Sequence, residues 1–152
     1  MKTGQLSESK DQEIRILLFR LRHEKFGIDV WNVREIAKIV DITTIYEPTG
    51  LIKGVFNLRG QIITAVDAAK QFGFAAQETF PQTTRTVIVE FKDRIIGLVV
   101  DEVLDVLTIP YDQIDLVPGV IQTEIKREYI KGVSKAEEQP FILLDPEKIM
   151  RY

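Results

Sequence analysis

The chain has 152 residues, enough for one domain or two very small ones, and its 45% hydrophobic content can fill a real core. Its 20 Lys and Arg against 23 Asp and Glu leave a net charge of -3, so a phosphate backbone meets overall repulsion and nucleic acid is a poor partner. The absence of cysteine excludes disulfide frameworks, thiolate metal sites and cysteine nucleophiles, and a single histidine, His23, leaves any metal site to carboxylates.

Residues 1–14, opening "MKTGQLSESKDQE", are polar, lack the apolar centre of a secretory signal and are expected to form a flexible tail. From Arg15, "RILLFRLRHEKFGIDV" reads as a strand, a charged turn at "HEK" (23–25) and a second strand holding Gly27. "IKGVFNLRGQIITAVD", 52–67, reads as a hairpin. Asp67 then starts a short helix, "AAKQF", ended by Gly73, and 73–84 is the expected link between the two halves of the chain.

From Thr86 the plan starts again. A shift of 70 puts Gly27 on Gly97, Val33 on Val103, Glu35 on Asp105 and Ile36 on Val106; a shift of 78 puts Ile52-Lys53-Gly54-Val55 on Ile130-Lys131-Gly132-Val133 and Asp67 on Asp145. The second copy therefore carries eight extra residues, in a stretch with Pro110, Pro118 and Gly119 that suits a loop. Asp145, followed by Pro146, is a second helix start. Two copies of about five short Val-, Ile- and Phe-rich strands predict a mostly β protein of two small barrels side by side, since closing a sheet removes exposed edges. The expected halves are 15–80 and 81–152, an arrangement that allows strands to be exchanged between them. The longest apolar run, around "IIGLVV", is far short of the roughly 20 residues a membrane helix needs, and a soluble cytoplasmic protein is expected.

Four aspartates, Asp29, Asp67, Asp101 and Asp145, are the raw material for a small acid-base hydrolase. The competing account makes Asp67 and Asp145 helix caps and sets Asp29 and Asp101 at water-facing strand positions, and it is favoured because no nucleophile has a neighbouring base. No phosphate-binding loop, zinc motif or nucleophile elbow is present, so neither cofactor nor metal is expected. A barrel binding single strands needs stacking aromatics in a cationic groove, whereas the phenylalanines here lie among core-like apolar residues. Arg59 beside Gly60 has two readings, a solvated turn residue or a protein-binding anchor displayed with Asn57. The second copy, "SKAEEQP" at 134–140, keeps the hairpin without the arginine, so the fold does not require it.

"FGIDVWNVREI", "LIKGVFNLRGQIITAVD" and "RIIGLVVDEVLDVL" together resemble the CheW family of chemotaxis coupling proteins, in order from about Arg15 to about Met150. The resemblance implies two five-stranded SH3-like barrels with a further apolar core between them, and no catalytic activity. It implies a non-catalytic adaptor that joins the cytoplasmic tip of chemoreceptors to the regulatory domain of the histidine kinase CheA, recruited to arrays at the inner face of the membrane without inserting into it. By the same resemblance the receptor would meet Val33, Glu35, Asn57, Arg59, Gly60 and Val103, and the kinase Ile45, Tyr46 and Leu51. Thr64, Ala65 and Ala68 depart from the family pattern, where proline, a larger aliphatic and leucine are usual; this raises a specialised, non-flagellar chemosensory system as an alternative.

Overall fold

The run "ILLF" shows no alternation because both faces of its strand are covered. In the computed structural model, which describes residues 12–38, 42–75, 80–116, 125–136, 138 and 140–152, this strand is β1 (Glu13–Leu21). Ile14, Ile16 and Leu18 enter one apolar cluster, while Leu17, Phe19 and Leu21 enter another. Its hairpin partner is β2 (Glu24–Asp29), and the turn is Arg22–His23, one residue earlier than expected, because pairing continues to Leu21 and Glu24. A 3-10 turn leads to β3 (Val33–Lys38), followed by β4 (Thr43–Thr44), β5 (Ile52–Leu58), β6 (Gln61–Asp67) and helix α1 (Ala68–Phe72). The second half runs β7 (Arg85–Phe91), β8 (Arg94–Val100), β9 (Glu102–Pro110), β10 (Ile114–Asp115), β11 (Ile130–Ser134), β12 (Ile142–Leu144) and helix α2 (Pro146–Ile149). Pro110 closes β9 instead of opening a loop, and Pro118 and Gly119 lie outside the described residues.

The strands form two sheets of six, ordered β10-β11-β12-β2-β1-β9 and β4-β5-β6-β8-β7-β3. Five strands were expected in each; the sixth is the two-residue edge strand, β10 or β4, too short to leave a sequence signal. Each sheet takes a hairpin from the other half of the chain, β1–β2 in one and β7–β8 in the other. The repeat holds to single residues. Ala65 and Leu143 face Gly97 and Gly27 in the two parallel pairs, and equivalent bulges interrupt β5 against β6 between Ile52 and Gly54 and β11 against β12 between Ile130 and Gly132. The repeated "IKGV" has a steric cause. A Cβ at Gly54 would lie 2.1 Å from the Thr43 carbonyl oxygen, and one at Gly132 would lie 2.8 Å from that of Asp115, where the short edge strands cross.

Three apolar cores result. Phe56, Ile63, Ala65, Ile88 and Val99 all come from one sheet, and Ile14, Ile16, Leu18, Ile114, Phe141 and Leu143 from the other sheet and its connections, so each sheet has an apolar cluster of its own. The third core lies between them and joins Phe19, Phe26 and Ile28 to Val87, Val89, Leu98 and Val100. The helix starts are as expected: Asp67 caps α1 through the Lys70 N–H, Asp145 caps α2 through the Glu147 N–H, and Gly73 ends α1 at a φ of +102°.

Several buried polar atoms lack a partner, among them the Thr84 and Thr86 hydroxyls. Thr86, the repeat partner of Ile16, is fully buried, and its hydroxyl has no hydrogen-bond partner. Thr86→Val removes that unpaired group at nearly constant shape and should stabilise the protein by about 1 kcal/mol. Thermal melts of the two forms check this, and an unchanged or lower midpoint would mean that the hydroxyl is satisfied in solution.

Candidate protein-binding site

The β5–β6 hairpin answers why an arginine stands next to a glycine in "NLRG". Pairing continues to Leu58 and Gln61, leaving Arg59 and Gly60 as a two-residue loop with φ of +51° and +86°. Positive φ at both central positions is the type I′ arrangement, whose twist matches that of the flanking strands. Asn57 builds this turn, because its Oδ1 accepts the Gly60 N–H at 2.9 Å. It is thus a scaffold for Arg59 more than a second donor beside it. Holding a side chain other than glycine in the left-handed region costs about 1 kcal/mol, a cost that Arg22 and Lys92 also bear in the β1–β2 and β7–β8 turns, so the conformation belongs to the turn type.

Arg59 is 75% exposed along its side chain, and its Nη1 donates to Glu35 Oε2 on β3. The hydrogen bond and the carboxylate charge hold the guanidinium still more firmly protonated than usual. In sheet order β3 and β5 are not neighbours, so their meeting depends on the curl of the barrel. Glu35 flanks a bulge where Val33 faces Val89 and Glu35 faces Ile88, with Arg34 as the extra residue. The same bulge recurs on β9, with Val103 facing Phe19, Asp105 facing Leu18 and Leu104 extra. Bulges re-aim side chains, and this pair leaves Val33 and Val103 half-buried against the central core. Asp105, the counterpart of Glu35, instead accepts the N–H of its own neighbour Val106 at 2.7 Å.

Of the residues expected to meet a receptor, the structure brings Glu35, Asn57, Arg59 and Gly60 together around one turn and places Val33 and Val103 at equivalent bulges. Two exposed isoleucines were not singled out: Ile62, which faces Asn57 across the hairpin, and Ile36, which follows Glu35. Alternation did not mark Ile62, because its phase of "QIITAVD", Ile62-Thr64-Val66, is no more polar than Gln61-Ile63-Ala65-Asp67 and ends on the buried Val66. Ile45, Tyr46 and Leu51 form a separate group after β4, at the sheet edge away from β3. Tyr46 is 89% exposed, Ile45 is exposed and Leu51 half-buried.

Each of the four aspartates has a structural partner. Asp67 and Asp145 are caps, as expected, but the other two do not simply face water. Asp29 is half-buried and caps the 3-10 turn through the Trp31 N–H at 2.9 Å; burial pushes its carboxyl up, against the pull of that bond and of Lys131. Asp101 is 4% exposed, accepts the Arg22 N–H at 2.8 Å and pairs with the Arg22 guanidinium at 3.2 Å. Strand alternation misplaced it because it stands at the crossing from β8 in one sheet to β9 in the other. Among the described residues no three His, Asp or Glu side chains are grouped to hold a metal. No helix among them is long and apolar enough to cross a membrane.

Two duplicated six-stranded sheets that mount charged and apolar side chains on tight turns have the build of a protein-binding scaffold. The CheW-like domain model matches residues 15–152, and the chain belongs to the CheW family. It is similar to chemotaxis protein CheW of Klebsiella aerogenes, with 36% identity over 136 residues that cover 88% of this chain and 80% of that protein. With chemotaxis protein CheW of Thermotoga maritima the identity is 33% over 143 residues, 91% and 89% of the two chains. The crystal structure of the scaffolding protein TtCheW from Thermoanaerobacter tengcongensis matches with a TM-score of 0.80 at 33% identity, covering 88% of this chain and 90% of that one. The function is that of a chemotaxis coupling adaptor.

Proposed function

We propose that the chain links the cytoplasmic tip of chemoreceptors to the regulatory domain of the histidine kinase CheA, without catalysis of its own, in arrays at the inner face of the membrane. The observation that carries this reading is the Arg59 turn. A strained, exposed arginine is oriented by Glu35 and absent from the repeat copy of the hairpin, so the barrel does not need it. Val33, Glu35, Asn57, Arg59, Gly60 and Val103 form the receptor side, and Ile45, Tyr46 and Leu51 the kinase side.

Of the three positions that raised the alternative of a specialised, non-flagellar system, only the half-buried Thr64 reaches the surface of the hairpin. Ala65 and Ala68 are fully buried, so the missing methylenes change core packing and not the face shown to a partner. The hydrolase alternative loses its residues, each of the four aspartates being engaged in a cap or an ion pair.

Scaffolding is stoichiometric, and that supplies the test. Adding the protein to CheA and receptor-bearing membranes should raise phosphotransfer from ATP to the kinase histidine, pass through an optimum, and then lower it as receptor and kinase sites fill separately. Kinase activity that is the same with and without saturating protein would refute the coupling role.

A further inference from the structure

Resting on the reading of Ile45, Tyr46 and Leu51 as the kinase side, we infer that Glu47 is the positioning residue of that surface, its carboxylate holding the β4–β5 loop in the shape that the CheA regulatory domain meets. The reverse turn here needs only the bond from the Gly50 N–H to the Glu47 carbonyl, at 3.0 Å. The side chain goes well beyond this. Its Oε2 accepts the Thr49 N–H at 3.0 Å, and its Oε1 accepts the Leu51 N–H at 3.1 Å, the Ile52 N–H at 3.3 Å and the Thr49 hydroxyl. One carboxylate thus gathers the loop from Thr49 to the first residue of β5.

Leu51 is held on both sides. Its N–H is also within reach of Thr49 Oγ1 at 3.2 Å, and its carbonyl accepts the Asp67 N–H at 2.8 Å, which ties the loop to the residue that caps α1. Ile45 and Tyr46 immediately precede this knot. A loop that displays an aromatic side chain almost wholly to solvent while its backbone is pinned by its own neighbour is ordered before any partner arrives. A partner therefore does not have to freeze it on binding. Because the carboxylate acts within an exposed loop, its loss disturbs that loop and leaves the three cores untouched.

The test compares Glu47→Ala, Glu47→Gln and Tyr46→Ala by calorimetric titration against the CheA regulatory domain and, separately, against a receptor-tip fragment, with thermal melts and amide exchange at Thr49, Leu51 and Ile52. Glu47→Ala should weaken kinase binding by roughly fivefold to tenfold, since only the fraction of loops in the competent shape binds. It should speed exchange at the three amides and leave receptor affinity and the melting midpoint unchanged. Glu47→Gln keeps one acceptor oxygen but turns an amide donor toward a donor N–H, so it should fall between wild type and alanine.

If Tyr46→Ala weakens kinase binding and Glu47→Ala does not, the positioning role is overturned and the kinase surface stands. If Tyr46→Ala leaves kinase binding unchanged, the surface itself is wrong and the role falls with it. Equal losses toward both partners, together with a lowered midpoint, would make Glu47 a stability residue only and also overturn the inference.

Discussion

Asp101→Ala is expected to destabilise the protein by about 3 kcal/mol, a fall in melting midpoint of roughly 10 °C for a chain of this size. The substitution strands the Arg22 guanidinium, whose side chain is only 19% exposed, and also removes the acceptor of the Arg22 backbone N–H. Breaking one side of such a pair costs far more than the pair contributes, because the remaining charge loses its compensation in a place water barely reaches. Arg22 also donates to the Ala75 carbonyl at 2.9 Å, and the Thr83 hydroxyl donates to the Asp101 carbonyl at 2.7 Å, so the cluster joins the β1–β2 turn to both ends of the link between the halves. Asp101→Asn, which keeps an acceptor for the N–H, should lose less, and Arg22→Met combined with Asp101→Ala should recover part of the deficit. A midpoint within 2 °C of wild type for Asp101→Ala, measured by calorimetry, would show that solvent screens the pair as it does at an open surface.

Arg59 should separate binding from stability. Arg59→Ala keeps the same strained backbone and removes an exposed side chain, so its midpoint should stay within about 0.5 kcal/mol of wild type. Receptor affinity should fall by about 2 kcal/mol, roughly thirtyfold, as for a central interface arginine. Arg59→Lys should recover little, since an ammonium cannot keep the bond to Glu35 and present a planar donor edge to a partner at once. Arg59→Gly is the sharper variant. Glycine adopts positive φ without steric cost, so this form should be as stable as wild type, or more so by up to about 1 kcal/mol, while binding receptor as poorly as alanine does. Receptor affinity unchanged in all three would return Arg59 to the role of an ordinary turn residue.

The duplication was legible because its causes are local and repeat: glycine where an edge strand crosses, an apolar run where a strand is covered on both faces, aspartate where a helix begins. Register and bulges arise from the same residues, which is why shifts of 70 and 78 carry one set of strand pairs onto the other. What could not be read are contacts between residues far apart in sequence. Glu35 and Arg59 were each singled out, yet nothing in a linear sequence says that the barrel brings β3 to the β5–β6 turn. Asp101 misled because alternation assumes a strand that stays in one sheet. Glu47 passed unnoticed because a glutamate before proline in a turn is ordinary until its four donors are seen. Ile62 was hidden because neither phase of its strand reads as polar in sequence.

The exchange of hairpins between the sheets fixes the order in which the chain can mature. As the polypeptide leaves the ribosome, β1 and β2 emerge ahead of their partners: β1 must wait for β9, with Glu13 meeting Pro110, and β2 for β12, with Phe26 meeting Ile142. Until β9 and then β12 have been synthesised, the apolar faces of that hairpin have no sheet to join. Pairings this distant make folding slow and leave sticky surface open to other nascent chains. Neither sheet can be completed from its own half of the chain, so each is finished only with a hairpin from the other half.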